Sequence, residues 1–515
     1  MAIFSIFGER ITLIDVQPYD RNLSARVTKR IGLRDFATWS SDSIGAVSWD
    51  GFLLACNVRR SLVAPGRIGG QSIGAGGTFR VGNPSQDVGA GKKLDAWKGL
   101  SWQFAPVTVW LIEAGKPWSA AVQYFKGSIK AMIEQDGDLV FSFHDRWEDL
   151  RRDIQTSLYS GAGSWNGGAE LANKPKPIGL GINRKVPAVP VDPFNGKFQV
   201  HHGAIEAVLE VEVKGGVIPS DVSNPPAAGK YYADLANGGV ILGSSADGDV
   251  CVSFRGAKPD GTYTGKRGDL VRYVLGQYAG AADPAAFNTA SFSAYNALDT
   301  AEVGIWIGTE RRDIADAIDD LMAPVFGYVI PDLSDLWTIG RILAPTATSA
   351  ATADLALSGY DVAAGSLKRI AGEEPPSQIR GNYKRYWMPR EKDRLITTID
   401  AAVAADLREP WRTVTAAGAS LTEWPAAKPL TLDLYNDGSS AAQAEVNRIA
   451  SMIGDRSRIY GWETGFEPLE KLLHSQLWIE HEDIDAGAGA AFRLLATDAD
   501  LIAGTVQVEA WGLGA

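Results

Sequence analysis

The sequence predicts an α+β, β-rich, multi-domain protein, with several small sheets or barrel-like domains and a few packed helices. Three observations carry this expectation. Short strand-like segments punctuated by Gly, Pro and Asp outnumber helical ones along the chain. The helical segments are amphipathic and fall mostly in the second half. At 515 residues the chain exceeds what one hydrophobic core fills, so it divides into units that each bury their own apolar surface. With 45% hydrophobic and 22% charged residues the composition is that of a globular protein. No repeat with a period of about 20–50 residues is present, which disfavours propellers and solenoids.

Four units are expected, at 1–160, 161–300, 301–415 and 416–515. In the first, apolar runs at 129–133 and 139–143 flank Gln135-Asp136-Gly137-Asp138, which predicts a hairpin. The Gly-rich stretch 69–78 is followed by neither Lys-Ser/Thr nor a helical pattern, so it reads as a surface loop and not a phosphate cradle. Small residues at 160–168 mark a boundary. Beyond it, the proline-bearing stretches 174–181 and 186–193 are expected as edge strands or extended connectors, because proline cannot donate to a β-ladder; central strands are excluded there. The run Leu209-Glu-Val-Glu-Val213 alternates, placing Leu209, Val211 and Val213 on a buried face and Glu210 and Glu212 on a solvated one.

Asp283-Pro284 reads as an N-cap with proline at the first helical position, opening a helix over 285–298. The spacing of Ile314, Ala317, Ile318, Leu321 and Met322 gives a second helix one apolar face to lay on a sheet. A linker at 344–353 precedes a strand at 379–387. Ser440-Ala-Ala-Gln443 has the form of a capping box, opening a helix that carries Val446, Ile449, Ala450 and Ile453 and stops at Gly454. Strands at 492–495 and 505–511 close the chain around an Asp-rich turn.

The formal charge of −11 argues against nucleic-acid binding, which needs clustered Lys and Arg to displace counterions. The two cysteines, Cys56 and Cys251, are too few for a cysteine-built metal site and are expected as buried free thiols. The start of the sequence lacks the n-, h- and c-regions of a signal peptide, and no apolar run approaches membrane-spanning length. The five histidines, His144, His201, His202, His474 and His481, form no metal-ligand frame; adjacent His201 and His202 would point to opposite sides of a strand. A Cys–His hydrolase is disfavoured by the apolar setting of Cys56. Carboxylate pairs for a glycosidase are Glu210 with Glu212, or Glu480 with Glu482 and Asp483; two carboxylates at such spacing normally form a solvated face. Tyr383-Lys-Arg-Tyr-Trp-Met-Pro-Arg390 is expected as an edge strand with snorkelling Lys and Arg. The expectation is therefore a non-enzymatic protein, with no catalytic residue, cofactor or metal assigned.

One block is more specific. It runs through Lys174-Pro-Lys-Pro-Ile-Gly-Leu-Gly181 and Val186-Pro-Ala-Val-Pro-Val-Asp192 to Phe198-Gln-Val-His-His-Gly-Ala-Ile205. It resembles a recurrent segment in the baseplate hub, or tail-tip, proteins of long-tailed, siphovirus-like bacteriophages, which reads K-P-x-P-x-x-x-G, then N-V-x-P-V-x-V-D, then Y-Q-V-x-x-G-x-I. Lys174, Pro175, Pro177, Gly181, Val186, Pro187, Val189, Val191, Asp192, Gln199, Val200, Gly203 and Ile205 match; Pro190, Phe198 and His201-His202 depart from it. Glu302-Val-Gly304, the helix at Ile314–Met322 and Gly327-Tyr-Val329 follow in an order similar to the same proteins. The resemblance covers about 170–345 and elsewhere only the order of elements. It implies a virion-tail structural protein of hub-like architecture, made in the host cytoplasm. That protein would be a homotrimer around the tail axis, contacting the distal tail protein, the tape measure protein and tip or fibre proteins, with genome DNA passing its channel. The alternatives are a distal tail ring protein, or a receptor-binding, carbohydrate-binding or glycosidase-type tail-tip protein.

Overall fold

The computed structural model describes residues 9–84, 93–258, 261–370, 374–419, 421–454, 457–484 and 487–513. Strands take 40% of the chain and helices 17%, in several sheets, so the fold class is the α+β, β-rich one that the sequence predicts. Among the described residues no sheet closes on itself.

The N-terminal strands are β1 (Arg10–Val16), β2 (Lys29–Gly32), β3 (Leu53–Ser61), β4 (Gly76–Val81), β5 (Pro106–Glu113), β6 (Val122–Gln135) and β7 (Asp138–His144). Leu139, Phe141 and Phe143 of β7 alternate into the core, where Phe141 stacks on Phe79 at 4.7 Å. The predicted hairpin joins β6 to β7. Asp136 and Gly137 both have positive φ (54° and 83°), the geometry of a type I′ turn, which suits the right-handed twist of its strands.

The middle of the chain supplies β8 (Ile178–Pro187), β9 (Val189–Asp192), β10 (Lys197–Gln199), β11 (Ile205–Val213), β12 (Gly216–Ile218), β13 (Ser220–Asp221), β14 (Tyr231–Asp234), β15 (Gly239–Leu242) and β16 (Val250–Ala257). Then come α1 (Arg267–Gln277), α2 (Thr289–Leu298), β17 (Gly304–Ile307), α3 (Ile314–Met322), β18 (Gly327–Pro331) and β19 (Trp337–Arg341). Two five-stranded sheets result, in the orders β12-β11-β16-β8-β17 and β9-β10-β15-β14-β13.

Strand β9 is an edge, as its proline predicts, but β8 is not. It pairs with β17 through Ile178–Gly181 and with β16 through Ile182–Pro187, because Pro175 and Pro177 precede the ladder and Pro187 ends it. The expected exclusion of a central strand there is corrected accordingly. The helix expected at 285–298 starts later, at Thr289, where the Asn288 side chain accepts from Ser291 N and caps it. Helix α3 forms as predicted, with Ile314, Ala317, Ile318, Leu321 and Met322 all buried.

The remainder forms β20 (Leu355–Ser358), β21 (Lys368–Ile370), β22 (Gln378–Tyr383), α4 (Ala401–Asp406), β23 (Arg412–Ala417), β24 (Leu430–Asp433), α5 (Ser439–Met452), β25 (Ser457–Thr464), β26 (Gln476–Glu480), β27 (Ala490–Asp500) and β28 (Thr505–Leu513). Helix α5 is capped by Gly438 without a side-chain bond. Ser440 of the predicted capping box therefore lies one residue inside the helix.

The closing hairpin β27–β28 joins the N-terminal strands. β27 pairs with β3 from Asn57↔Asp500 to Ser61↔Ala496, giving a thirteen-stranded sheet in the order β21-β25-β28-β27-β3-β4-β7-β6-β5-β1-β2, with β26 also on β27 and β20 on β26. The segments expected as the first and last units thus share one sheet and one core. Beyond the ladder, Leu501 N donates to Cys56 O (2.9 Å) and Thr12 Oγ1 to Leu501 O (3.1 Å).

Arg267 at the start of α1 is fully buried. Its guanidinium donates to Asp299 Oδ2 (3.0 Å), to the Leu321 carbonyl at the end of α3, and to Leu434 O and Asn436 Oδ1 (2.9 Å each) beyond β24. One side chain therefore ties the ends of two helices to the C-terminal third. Replacing it with methionine, Arg267→Met, leaves Asp299 as an unpaired buried charge and is expected to cost about 3–5 kcal/mol, read as a lowered urea midpoint. Arg267→Lys should recover only part of that loss, since an ammonium cannot reach the same fork of acceptors.

Candidate functional site: the strand block and its charged core

The block 174–205 supplies β8, the edge strand β9 and β10. Gly181 has φ +64°, and a methyl group there would collide with the Val303 carbonyl, so only glycine suits both the turn of the backbone and the close approach of β17. Val186, Val189 and Val191 are buried, and Asp192 Oδ1 accepts from Asn195 N (3.3 Å) to shape the short turn that follows β9. At the tip of that turn Phe194 is 95% exposed, an apolar ring projected into solvent beside an edge strand.

Residue Lys185 sits in a bulge of β8 with φ +50°, held by a bond from its N–H to Ser253 Oγ (3.1 Å). A matching bulge in β11 at Leu209 turns that residue outward and brings both glutamates to the lysine. Lys185 Nζ donates to Glu210 Oε1 (2.8 Å) and to Glu212 Oε1. Lys185 and Glu212 are only 8% and 3% exposed, so the solvated glutamate face expected for Leu209–Val213 is corrected to an ion cluster of which Glu210 alone keeps partial contact with water. Desolvation pushes Glu212 up to about 7, and its hydrogen-bonded neighbour Glu210 adds to the shift.

The run 383–390 closes over this cluster and is not an edge strand. Tyr383 ends β22, the central strand of the sheet β23-β22-β24, and the chain then crosses the bulge: Trp387 N donates to Arg184 O (3.3 Å) and Met388 N to Lys185 O (3.0 Å). Its two arginines are engaged by other parts of the chain. Arg385 lies 3.7 Å from the centre of the Trp387 ring and donates to Tyr435 OH (3.1 Å), while Arg390, buried, donates to Asp249 O and Cys251 Sγ (3.0 Å each). Arg184 forms a fork with Asp437, at 2.9 and 2.7 Å.

Of the other candidates, Cys251 borders this cluster through its bond with Arg390. Cys56 and Cys251 are buried free thiols; burial raises both, Cys251 to about 11, so neither is a ready thiolate. His201 and His202 lie in a bend and not a strand, which brings their rings to 4.5 Å, against the expectation that they diverge. Each is already engaged. His201 Nδ1 accepts from Gly179 N (3.0 Å), His202 Nε2 meets Tyr278 OH (3.0 Å), and burial lowers both, His201 to about 3. His474 is likewise lowered to about 3 by burial and accepts from Leu343 N (3.0 Å). His144 Nδ1 is 2.9 Å from Asp145 O, and His481 Nδ1 accepts from Asp483 N (3.1 Å). Glu480, Glu482 and Asp483 are exposed. Of the stretch 69–78, residues 76–78 belong to β4 and the rest is loop. Among the described residues no group of three or more His, Cys, Asp or Glu is placed to hold a metal, and no helix is long and apolar enough to cross a membrane.

No family model matches the chain, and no curated protein matches it. Among solved structures it is similar to a tail protein from Neisseria meningitidis MC58, at 8% identity, covering 91% of this chain and 94% of that one with a TM-score of 0.40. It is also similar to the 43 kDa tail protein of prophage MuSo2 from Shewanella oneidensis, at 8% identity, 98% of both chains and 0.41. A chain of the virion of a native gene transfer agent particle aligns at 13% identity over 66% of this chain and 84% of that one, with 0.40.

Lys185→Met removes the cation that faces the buried Glu212 and the half-buried Glu210 and should destabilise the protein by about 3–5 kcal/mol at pH 8. Glu212 already titrates near neutrality in the folded state, above its unfolded value, so the folded protein holds that proton at pH 5. The loss should therefore shrink as pH falls through 7, as measured by urea unfolding across that range.

Proposed function

We propose that the chain is a structural, non-enzymatic component of a bacteriophage tail, acting at the baseplate or tail tip as a homotrimeric hub that joins the distal tail ring to tip or fibre proteins. The observation that carries this reading is the meeting of the two segments in which the sequence resembles tail-tip proteins. They are separated by more than a hundred residues, yet they form one ladder, with Ile178↔Ile307, Leu180↔Ile305 and Gly181↔Gly304 in register and Ile182 N donating to Val303 O (3.0 Å). Of the glycines that match, Gly181 and Gly304 are positions where a side chain would strike the opposite backbone. A resemblance confined to unrelated surface loops would have no such geometry.

A ring around a rotation axis needs a surface on one copy that meets a different surface on the next. The edge strand β9 with Phe194 beside it supplies one such surface, suited to strand addition. The net charge of −11 suits a channel that genome DNA crosses without adhering. The domain division expected from the sequence enters this reading in modified form, with the two ends of the chain forming one platform and the middle carrying the assembly edge.

Light scattering on the purified 55.1 kDa chain tests the reading. Three copies are expected, and Phe194→Asp should shift the protein toward monomer while leaving its circular dichroism unchanged. Six copies would favour a distal tail ring. A monomer that hydrolyses a cell-envelope polysaccharide would overturn the structural reading.

A further inference from the structure

Away from the strand block, parts of the chain distant in sequence surround a cleft of about 1320 Å³. Its walls include the loop 66–71 that follows β3, Asp319 on α3, Phe326, Trp424, and residues of β21 and β24. The volume exceeds the roughly 300–1,000 Å³ typical of small-molecule sites. Two of the walls are sheet margins. β24 is outermost in the sheet β23-β22-β24, and β21 is outermost in the thirteen-stranded sheet; among the described residues each is paired on one side only. Such a margin presents unpaired N–H and C=O groups to any chain laid beside it.

The acidic group in this wall is incompletely satisfied. Asp319 is 4% exposed; its Oδ1 accepts from Ser72 N (3.3 Å), whereas its Oδ2 has no hydrogen-bond partner among the described residues. Arg151, the cation that acts on Asp319, is paired with Asp316 (3.2 Å), and the cations on the cleft wall, Arg67, Arg369, Lys428 and Arg458, leave Oδ2 without a hydrogen bond. Burial pushes Asp319 up to about 7, so the carboxylate is held at a cost that an incoming cation would relieve.

We propose that this cleft receives an extended segment of a partner polypeptide, added as a strand to the margin of β24, which delivers a lysine or arginine side chain to Asp319. Strand addition supplies backbone hydrogen bonds that are indifferent to sequence, and the carboxylate then selects for a basic residue at one position. Phe326, Ile370 and Trp424 give apolar surface for the flanking side chains. The inference stands on the cleft alone and does not depend on the tail reading.

Selection of displayed random linear peptides on the full-length protein tests it. Synthetic versions of the enriched peptides are then titrated into the protein and into Asp319→Asn, with hydrogen exchange followed along the chain. The expected result is a consensus with Lys or Arg among β-branched or aromatic residues, binding weakened about tenfold by Asp319→Asn, and protection of amides in Leu430–Asp433. A peptide whose basic residue is replaced by citrulline or norleucine makes the same comparison on unaltered protein, so the result does not hinge on the folding of the variant. The proposal is overturned by failure to enrich any peptide, by an acidic consensus, by equal binding to Asp319→Asn, or by protection confined to other strands. Concentration-dependent protection of Leu430–Asp433 without peptide would mean that a second copy fills the cleft, and would equally overturn it.

Discussion

The enclosure of the Arg267 guanidinium is the constraint around which the rest of the chain is arranged. A buried cation is tolerable only if its donors all find acceptors, and here these come from the ends of α2 and α3 and from the segment after β24. The helices and the C-terminal third must therefore reach their places together. The same device recurs at the other seams: Arg184 forks onto Asp437 from the far side of the chain, Lys185 bridges two glutamates within the middle sheet, and Arg390 reaches from the crossing strap to Asp249 and Cys251. Apolar burial stabilises each part, while these bonds set how the parts are oriented, because few other arrangements would satisfy them.

Pairing of β3 with β27 solves a different problem. Strand β3 carries a row of backbone groups that would otherwise face water, flanked by an apolar core containing Cys56, Val58 and Leu62. An uncovered edge of that kind invites association with other chains. The β27–β28 hairpin covers it and adds the fully buried Trp511, whose Nε1 is satisfied by Ser457 Oγ at 2.8 Å. Among the sheet margins that remain are β9, beside a projecting phenylalanine, and β21 and β24, on the walls of one cleft.

What could be read in the sequence follows the range of the interaction that fixes it. The β6–β7 hairpin is set by Asp136-Gly137, the α3 face by five apolar residues at helical steps, and the closing hairpin by two strand-like runs around an Asp-rich turn; each signal lies within its own element. Helix α1 left no such trace, because its buried side begins with Arg267 and Gly268, a charge and a glycine that pattern reading assigns to the surface. The interior position of β8 was obscured by prolines that border the ladder without interrupting it. The charged core was missed for a related reason: Glu210 and Glu212 alternate with valines as a solvated face would, and their lysine reaches them only through paired bulges that no local motif announces. The positive charges at 383–390 were legible as a cluster, but Tyr435, Asp249 and Cys251, which engage them, lie far away in sequence.

The sharing of one sheet by β3 and β27 has a consequence for biosynthesis. During translation the partner of β3 emerges more than 400 residues after β3 itself, which at about 5–20 residues per second is an interval of roughly 20–90 s. Through that interval the nascent chain carries an open ladder, and loop-closure entropy delays the final pairing further. The ribosome thus acts as a timer. Maturation of the N-terminal platform is withheld until residues 496–500 have been made, so products truncated before them would be marked for chaperone or protease attention by the edge they leave uncovered.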